Sequence, residues 1–111
     1  VTRSPMTWWD LGNNGASHFT FNGPGFSAAT DDPTLYVMRG MTYAFDNTAN
    51  GSSHPFRIQE TAGLSGTAYT SGQSGSGTSI LYFTVPMNAP STLYYQCTIH
   101  AAMNGTINVL G

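Results

Sequence analysis

The sequence predicts an all-β sandwich of about seven to eight strands. Short runs of β-branched and aromatic residues recur along the chain, clusters of turn-forming residues separate them, and no segment sustains the 3.6-residue period of an amphipathic helix. The expected strands cover residues 17–21, 35–39, 42–46, 55–60, 80–85, 93–97 and 106–110. Short strands separated by regular turns are typical of two packed sheets.

The gaps between these strands are rich in residues that favour turns. Gly, Asn, Asp, Ser and Pro cluster at 22–25, 31–33 and 47–53, and Gly40 is placed to bend the chain between two strands. The Gly- and Ser-rich segment 71–77 is expected to be a mobile surface loop. Residues 1–16 fit no strand pattern, and their role stays open. With 111 residues and no internal repeat, the chain is expected to form a single domain over 1–111.

Composition excludes several classes of function. Only 7% of the residues are charged, Lys is absent and the net charge is -2, so the clustered basic face of a nucleic-acid-binding protein is missing. No apolar run approaches the roughly 20 residues of a membrane-spanning helix, and the N-terminus has no signal-peptide core. Abundant Gly, Ser, Thr and Asn are typical of exported β domains. We therefore expect a periplasmic, extracellular, lumenal or virion-surface protein.

One group of residues points to metal chemistry. Cys97, His100 and Met103 stand at C-x2-H-x2-M spacing, and His54 lies upstream. The single cysteine cannot form an intrachain disulfide, so its thiol needs another explanation. One thiolate, two imidazoles and one thioether are the ligand set of a blue-copper site. Because a thioether is a poor ligand for zinc, calcium and magnesium, copper is the predicted metal.

Strand parity supports this interpretation, because residues two apart share one face of a strand. Cys97 has the parity of Leu93, and His54 has the parity of Phe56, so both candidate ligands are expected to point into the core. The opposite parity places Gln59, Arg57, Gln96 and His18 on outward faces. Met6, Met38, Met41 and Met87 are scattered along the sequence, and they are expected to serve packing rather than copper transport.

Longer segments resemble the cupredoxin family of small blue copper proteins. Residues 34–47 and 54–58 (TLYVMRGMTYAFDN and HPFRI) resemble a family pattern of two strands, a loop and the first His ligand. Residues 93–110 (LYYQCTIHAAMNGTINVL) resemble its C-terminal strand, ligand loop and last strand. The resemblance implies a Greek-key β-sandwich that binds one copper ion. It implies His54, Cys97 and His100 as strong ligands and Met103 as the weak axial ligand.

The chain also departs from the family pattern. Pro55 stands where the family commonly has Asn; it has no N–H, so one hydrogen bond to the Cys97 sulfur is expected to be missing. Ile99 stands where many relatives with short ligand loops have Pro, and its N–H is available. Asn104 and Gly105 are expected to turn the chain back into the last strand, with Gly at positive φ.

The resemblance implies a one-electron carrier rather than an enzyme. Electrons would pass through the exposed edge of His100, within a small apolar patch of Ala101, Ala102 and Pro55, to transient redox protein partners, and the carrier is expected to be a monomer. A thiol hydrolase is disfavoured, because Cys97 and His100 have no orienting carboxylate nearby in sequence. An alternative stays open: a structural or adhesive β-sandwich module of a larger exported or virion-surface protein, with stabilising or vestigial copper.

Overall fold

Strands account for almost all of the regular structure. The computed structural model describes residues 7–111, and these residues form ten strands and one turn of 3-10 helix, Gly51–Ser53. Within this part of the chain, no helix has the length and apolarity needed to cross a membrane. The predicted all-β class is confirmed, with ten strands rather than seven to eight. The strands are β1 (Thr7–Asn14), β2 (His18–Gly23), β3 (Phe26–Asp31), β4 (Leu35–Met38), β5 (Thr42–Asp46), β6 (Phe56–Gln59), β7 (Gln73–Gly75), β8 (Ile80–Thr84), β9 (Thr92–Cys97) and β10 (Asn104–Leu110).

The strands form two sheets. One sheet has six strands in the order β3-β2-β1-β5-β8-β7, and the other has four in the order β4-β10-β9-β6. Strands β1 and β5 pair in parallel, as do β4 and β10, and the remaining pairs are antiparallel. The parallel pairs join segments that are far apart in the sequence. Local turn signals do not predict such pairs, because they arise only when the sandwich closes.

Alternating burial along the strands builds the core between the sheets. Phe19 and Phe21 of β2 are buried and their neighbours are not, as the period of two requires. The rings of Phe45 and Phe56 stack with centroids 4.9 Å apart, and the Phe21 and Tyr95 rings lie 5.1 Å apart. These rings from both sheets form an aromatic centre, and Cys97 and Met103 belong to the same buried cluster.

Strand β1 accounts for the part of the N-terminal segment that had no readable pattern. It pairs in parallel with β5, which places Trp9 opposite Phe45. Trp9 is buried and its indole N–H donates to the Pro24 carbonyl at 2.9 Å, whereas Trp8 is exposed. One tryptophan therefore anchors the strand in the core and the other faces outward. Residues 1–6 of that segment lie outside the described residues.

Several local expectations from the sequence are wrong. The segment 71–77 is not simply a loop, because Gln73–Gly75 forms an edge strand on β8. Gln59 does not face solvent: it is fully buried, accepts from the Arg57 guanidinium at 2.6 Å, and donates to the Gly63 carbonyl at 2.8 Å. These bonds compensate for the burial of its amide.

The third correction concerns Gly105, which lies inside β10 and is not among the glycines with positive φ. Its lack of a side chain serves close packing instead of a turn. The Tyr95 ring of the neighbouring strand lies directly against its α carbon, and a Cβ there would approach Cε2 of that ring to 2.7 Å. Glycine at this position therefore lets a large aromatic ring occupy the core next to the ligand loop.

Candidate metal centre

Cys97 is the last residue of β9 and is fully buried. Pairing of β9 with β6 places it opposite Phe56, two residues after His54. The prediction that Cys97 points into the core with Leu93 is confirmed. The strand pairing thus brings the end of β9 beside the chain segment that carries the upstream histidine.

His54 follows the 3-10 turn and precedes β6. Its carbonyl oxygen accepts a hydrogen bond from the Asn47 side-chain amide at 2.8 Å, and the same amide nitrogen donates to the Gly77 carbonyl at 2.8 Å. Asn47 is fully buried, and its side-chain oxygen accepts from Asn50 at 2.8 Å. Asn47 therefore fixes the backbone that presents His54. The sequence signal for this role is a polar residue directly after a buried strand.

The loop from Cys97 to Met103 is closed by its own backbone. The Cys97 N–H donates to the Met103 carbonyl at 2.9 Å, and the Met103 N–H donates to the His100 carbonyl at 3.2 Å. Met103 is fully buried, as expected of a residue at the base of such a loop. These bonds hold three of the four candidate ligand residues in one compact turn.

A backbone hydrogen bond also links this loop to the His54 segment. The Thr98 N–H donates to the Pro55 carbonyl at 3.2 Å. Proline lacks a donor, yet its carbonyl still ties the two segments together. The departure from the family pattern at Pro55 thus preserves a connection between the loops, with Pro55 as acceptor.

Gln96 is a further residue of the site that sequence reasoning missed. Strand parity placed it on an outward face, but it is fully buried. Its amide nitrogen donates to the carbonyls of Cys97 at 2.9 Å and of His100 at 3.0 Å. These carbonyls turn inward at the ligand loop, and a buried carbonyl needs a donor. Parity alone could not reveal that the loop folds over this side chain.

The imidazoles and the thiol lie close together. Nδ1 of His54 is 3.1 Å from Nδ1 of His100, and the latter atom is 3.5 Å from the Cys97 sulfur. All three potential ligand atoms lie within 4.8 Å of one another. At bond lengths of about 2.0–2.3 Å, two donor atoms on one ion are about 3–4.5 Å apart. The group therefore fits a single metal ion, and its mixture of nitrogen and soft sulfur favours copper.

Electrostatics keep the first histidine ready for a metal. Partial burial lowers the pKa of His54 below its usual value, and the nearby His100 lowers it further. A lowered pKa keeps the ring neutral at neutral pH. A neutral imidazole is the form that binds metals, so the environment of His54 favours coordination over protonation.

His18 has a partner that the sequence did not reveal. Its side chain is 44% exposed, in keeping with the outward position expected for it, and its Nδ1 lies 2.9 Å from a carboxylate oxygen of Asp32. Burial raises the pKa of Asp32, although the contacts with His18 and with the Phe19 N–H partly offset this effect. The potential metal-binding group found among the described residues contains neither His18 nor Asp32.

No protein-family model matches the sequence, and a comparison with curated proteins finds no significant match. Among solved structures, reduced rusticyanin is 26% identical with a TM-score of 0.56 and covers 93% of this chain and 77% of its own. Rusticyanin from Thiobacillus ferrooxidans is 27% identical with a TM-score of 0.54, over 93% of this chain and 75% of its own.

The similarity to these structures extends over nearly the whole chain, well beyond the ligand motif. It therefore includes the N-terminal strands, whose residues show no family pattern. The His54, Cys97 and His100 group is placed to bind one copper ion. Together, the two-sheet fold, this group and the likeness to rusticyanin support a relationship to the cupredoxin family.

Proposed function

We propose that the protein is a one-electron carrier with a type 1 copper centre. His54, Cys97 and His100 are the strong ligands, and Met103 is the weak axial ligand. The observation that carries the proposal is the convergence of two imidazole nitrogens and one thiol sulfur. Nδ1 of His100 lies 3.1 Å from Nδ1 of His54 and 3.5 Å from the sulfur of Cys97. It is supported by the likeness to rusticyanin, which is described as a copper protein. When bound, copper would supply a one-electron couple between Cu(I) and Cu(II).

The residues around the group have the task of holding the ligand atoms still. Cys97 is fixed at the end of a paired strand, His54 through Asn47, and the His100 carbonyl through Gln96. Their hydrogen bonds do not involve the metal, so the same arrangement can serve both oxidation states. A site that does not rearrange exchanges electrons with a small energetic cost. The buried thiol is also protected from water and from oxidation.

His100 offers the route for the electron. It is partly exposed, and Ala101, Ala102 and Ile99 beside it are exposed. Such a small apolar surface suits brief docking with a redox protein, because electron-transfer interfaces are small and weak. The low charge of the chain implies little electrostatic steering. We propose that the protein acts as a monomeric single domain in an exported location, with transient redox partners and without catalysis of its own.

Direct electrochemistry tests the carrier role. We expect the copper-loaded protein to show one reversible one-electron wave in voltammetry. It should also exchange electrons with a small redox protein, and the rate should approach saturation only at high concentrations of that partner. Ala101→Asp, which places a charge on the exposed patch beside His100 and leaves the ligands in place, should slow this exchange, whereas Ala28→Asp on the distant strand β3 is the matched control. A bound copper that cannot be reduced and reoxidised would instead support the structural or adhesive module.

The axial role of Met103 leads to a first prediction. Met103→Leu should keep the copper and the blue colour but raise the reduction potential, because the axial ligand tunes the potential rather than holding the metal. Leucine has nearly the volume of methionine, so the buried position should lose less than about 1.5 kcal/mol. Voltammetry and the visible spectrum measure both effects. Complete loss of copper from a folded variant would show that Met103 is not a weak ligand.

A second prediction concerns Pro55. Pro55→Asn introduces an N–H one residue before Phe56, which pairs with Cys97, and keeps the carbonyl that accepts from Thr98. A new donor to sulfur withdraws negative charge and should raise the reduction potential by the energy of about one hydrogen bond, roughly 1 kcal/mol. Pro55→Ala is the control, since it adds the N–H without the amide side chain. An unchanged or lowered potential in spectrally intact variants would contradict this account.

A further inference from the structure

Three methionines expected to pack inside the protein are exposed. Met38 is 44% exposed, Met41 41% and Met87 73%. Met6, the fourth of that group, lies outside the described residues. Exposing flexible apolar side chains brings no packing energy, so these positions call for another explanation.

The structure brings the three methionines to one corner of the sandwich. Met38 ends β4, and the Met41 N–H donates to its carbonyl at 3.1 Å across the turn. The segment after β8 joins this turn through two hydrogen bonds. The Val85 N–H donates to the Met41 carbonyl at 3.0 Å, and the Gly40 N–H donates to the Val85 carbonyl at 2.7 Å. Met87 follows two residues later. Met41 and Met87, which are 46 positions apart in the sequence, thereby lie on neighbouring segments.

Gly40 lies at the centre of this corner. Its φ of 86° is a conformation that glycine adopts readily, and a Cβ there would lie 3.6 Å from the Met87 sulfur. The Met87 thioether is therefore directed over the turn that carries Met38 and Met41. A side chain at position 40 would contact this sulfur, and glycine avoids that contact.

The charge beside the corner is engaged elsewhere. Two guanidinium nitrogens of Arg39 donate to the Ala89 carbonyl, at 2.7 and 3.3 Å, and a third donates to the Gly111 carbonyl at 3.4 Å. The guanidinium is thus held against backbone oxygens. The ligand atoms available at the corner are neutral, soft sulfur atoms, which discriminate against calcium, magnesium and zinc and favour monovalent copper.

This corner is at the opposite end of the sandwich from the His54, Cys97 and His100 group. Strand β5 begins at Thr42, next to Met41, and ends at Asp46, next to the Asn47 that holds His54. At about 3.3 Å per residue, the two ends of this strand are separated by roughly 13 Å or more. An ion bound at the corner would therefore be independent of the type 1 centre.

We propose that Met38, Met41 and Met87 form a second, surface metal site that binds one monovalent copper ion through three thioethers. Met38 and Met41 supply two ligands from one turn, at M-x2-M spacing, and Met87 supplies the third from the neighbouring segment. A leucine at each position would provide the same apolar surface but no ligand. The use of methionine at all three exposed positions is what a soft-cation site requires.

Silver(I), a redox-inert analogue of Cu(I), tests the proposal on the oxidised, copper-loaded protein. With methyl-labelled methionine, one equivalent of Ag(I) should shift the methyl resonances of Met38, Met41 and Met87 together, with the blue absorption unchanged. Native mass spectrometry should show one added silver ion. Met87→Leu should weaken binding by at least about 10-fold, since losing even outer contacts of a metal site typically costs about 10–100-fold in affinity.

The triple variant Met38→Leu, Met41→Leu, Met87→Leu should lose this binding and keep the blue spectrum and the thermal unfolding temperature. Three outcomes would overturn the proposal. The first is no shift of the three resonances, and the second is equal silver binding by the triple variant. The third is that each resonance shifts independently, and only at silver concentrations as high as those needed to bind free methionine. Each outcome leaves the blue absorption intact, so failure here is distinguishable from failure of the type 1 assignment.

Discussion

Cys97→Ser is expected to abolish the intense visible absorption of the copper-loaded protein. The colour of a blue-copper site comes from charge transfer between the thiolate and the metal, and a serine hydroxyl cannot replace that ligand because it stays protonated. Cys97 is the single cysteine and is fully buried against the two histidines, so no other thiolate can take over. Absorption spectra of both proteins after addition of Cu(II) measure the effect.

The matched control is Thr98→Ser, which alters the next residue and leaves the thiol in place. This variant should keep the blue band, whereas Cys97→Ser should at most bind copper as a pale, weakly absorbing centre through His54 and His100. Circular dichroism should confirm that both variants are folded. Persistence of the intense band in Cys97→Ser would contradict the assignment of the thiolate as ligand.

Gly105→Ala is expected to destabilise the fold by about 2–6 kcal/mol. An added Cβ overlaps the Tyr95 ring, and that ring is fully buried with its hydroxyl donating to the Pro33 carbonyl at 2.6 Å. Overpacking a core costs about 1–3 kcal/mol, and loss of a buried hydrogen bond adds about 1–3 kcal/mol. Chemical denaturation of the metal-free protein measures the loss. Because Tyr95 is two residues from Cys97 on the same face of β9, a changed copper spectrum should accompany it.

A double variant identifies the cause of this loss. If the clash with the ring is responsible, combining Gly105→Ala with Tyr95→Leu should destabilise by clearly less than the sum of the two single changes. Gly15→Ala provides a control, since a Cβ there contacts no neighbouring atom and only its φ of 65° is unfavourable. Additive losses in the double variant would show that the ring is not the reason for glycine at position 105.

The parts of the fold that the sequence predicted are those governed by local periodicity. Strand β5 was predicted with its observed bounds, and the inward direction of Cys97 followed from the alternation along β9. The proposed ligand set was suggested for a different reason: His54, Cys97, His100 and Met103 combine residue types that few functions other than copper binding require together.

The remaining features depend on contacts between distant segments. Strand β1 is stabilised by parallel pairing with β5, and its alternation is limited to buried Trp9 and Leu11, too short a run to predict the strand. Gln59 and Gln96 are buried because loops fold over them and offer carbonyls to their amides, which parity cannot show. The exposure of Met87 likewise depends on how the segment after β8 meets the turn at Gly40.

Titration of the metal-free, reduced protein with Cu(II), followed by visible absorption, tests the central claim most directly. The account predicts an intense blue band that grows linearly and stops at one equivalent, because one group of His54, Cys97, His100 and Met103 forms the centre. A protein that is folded and has a free thiol, yet develops no blue band with Cu(II), would contradict it.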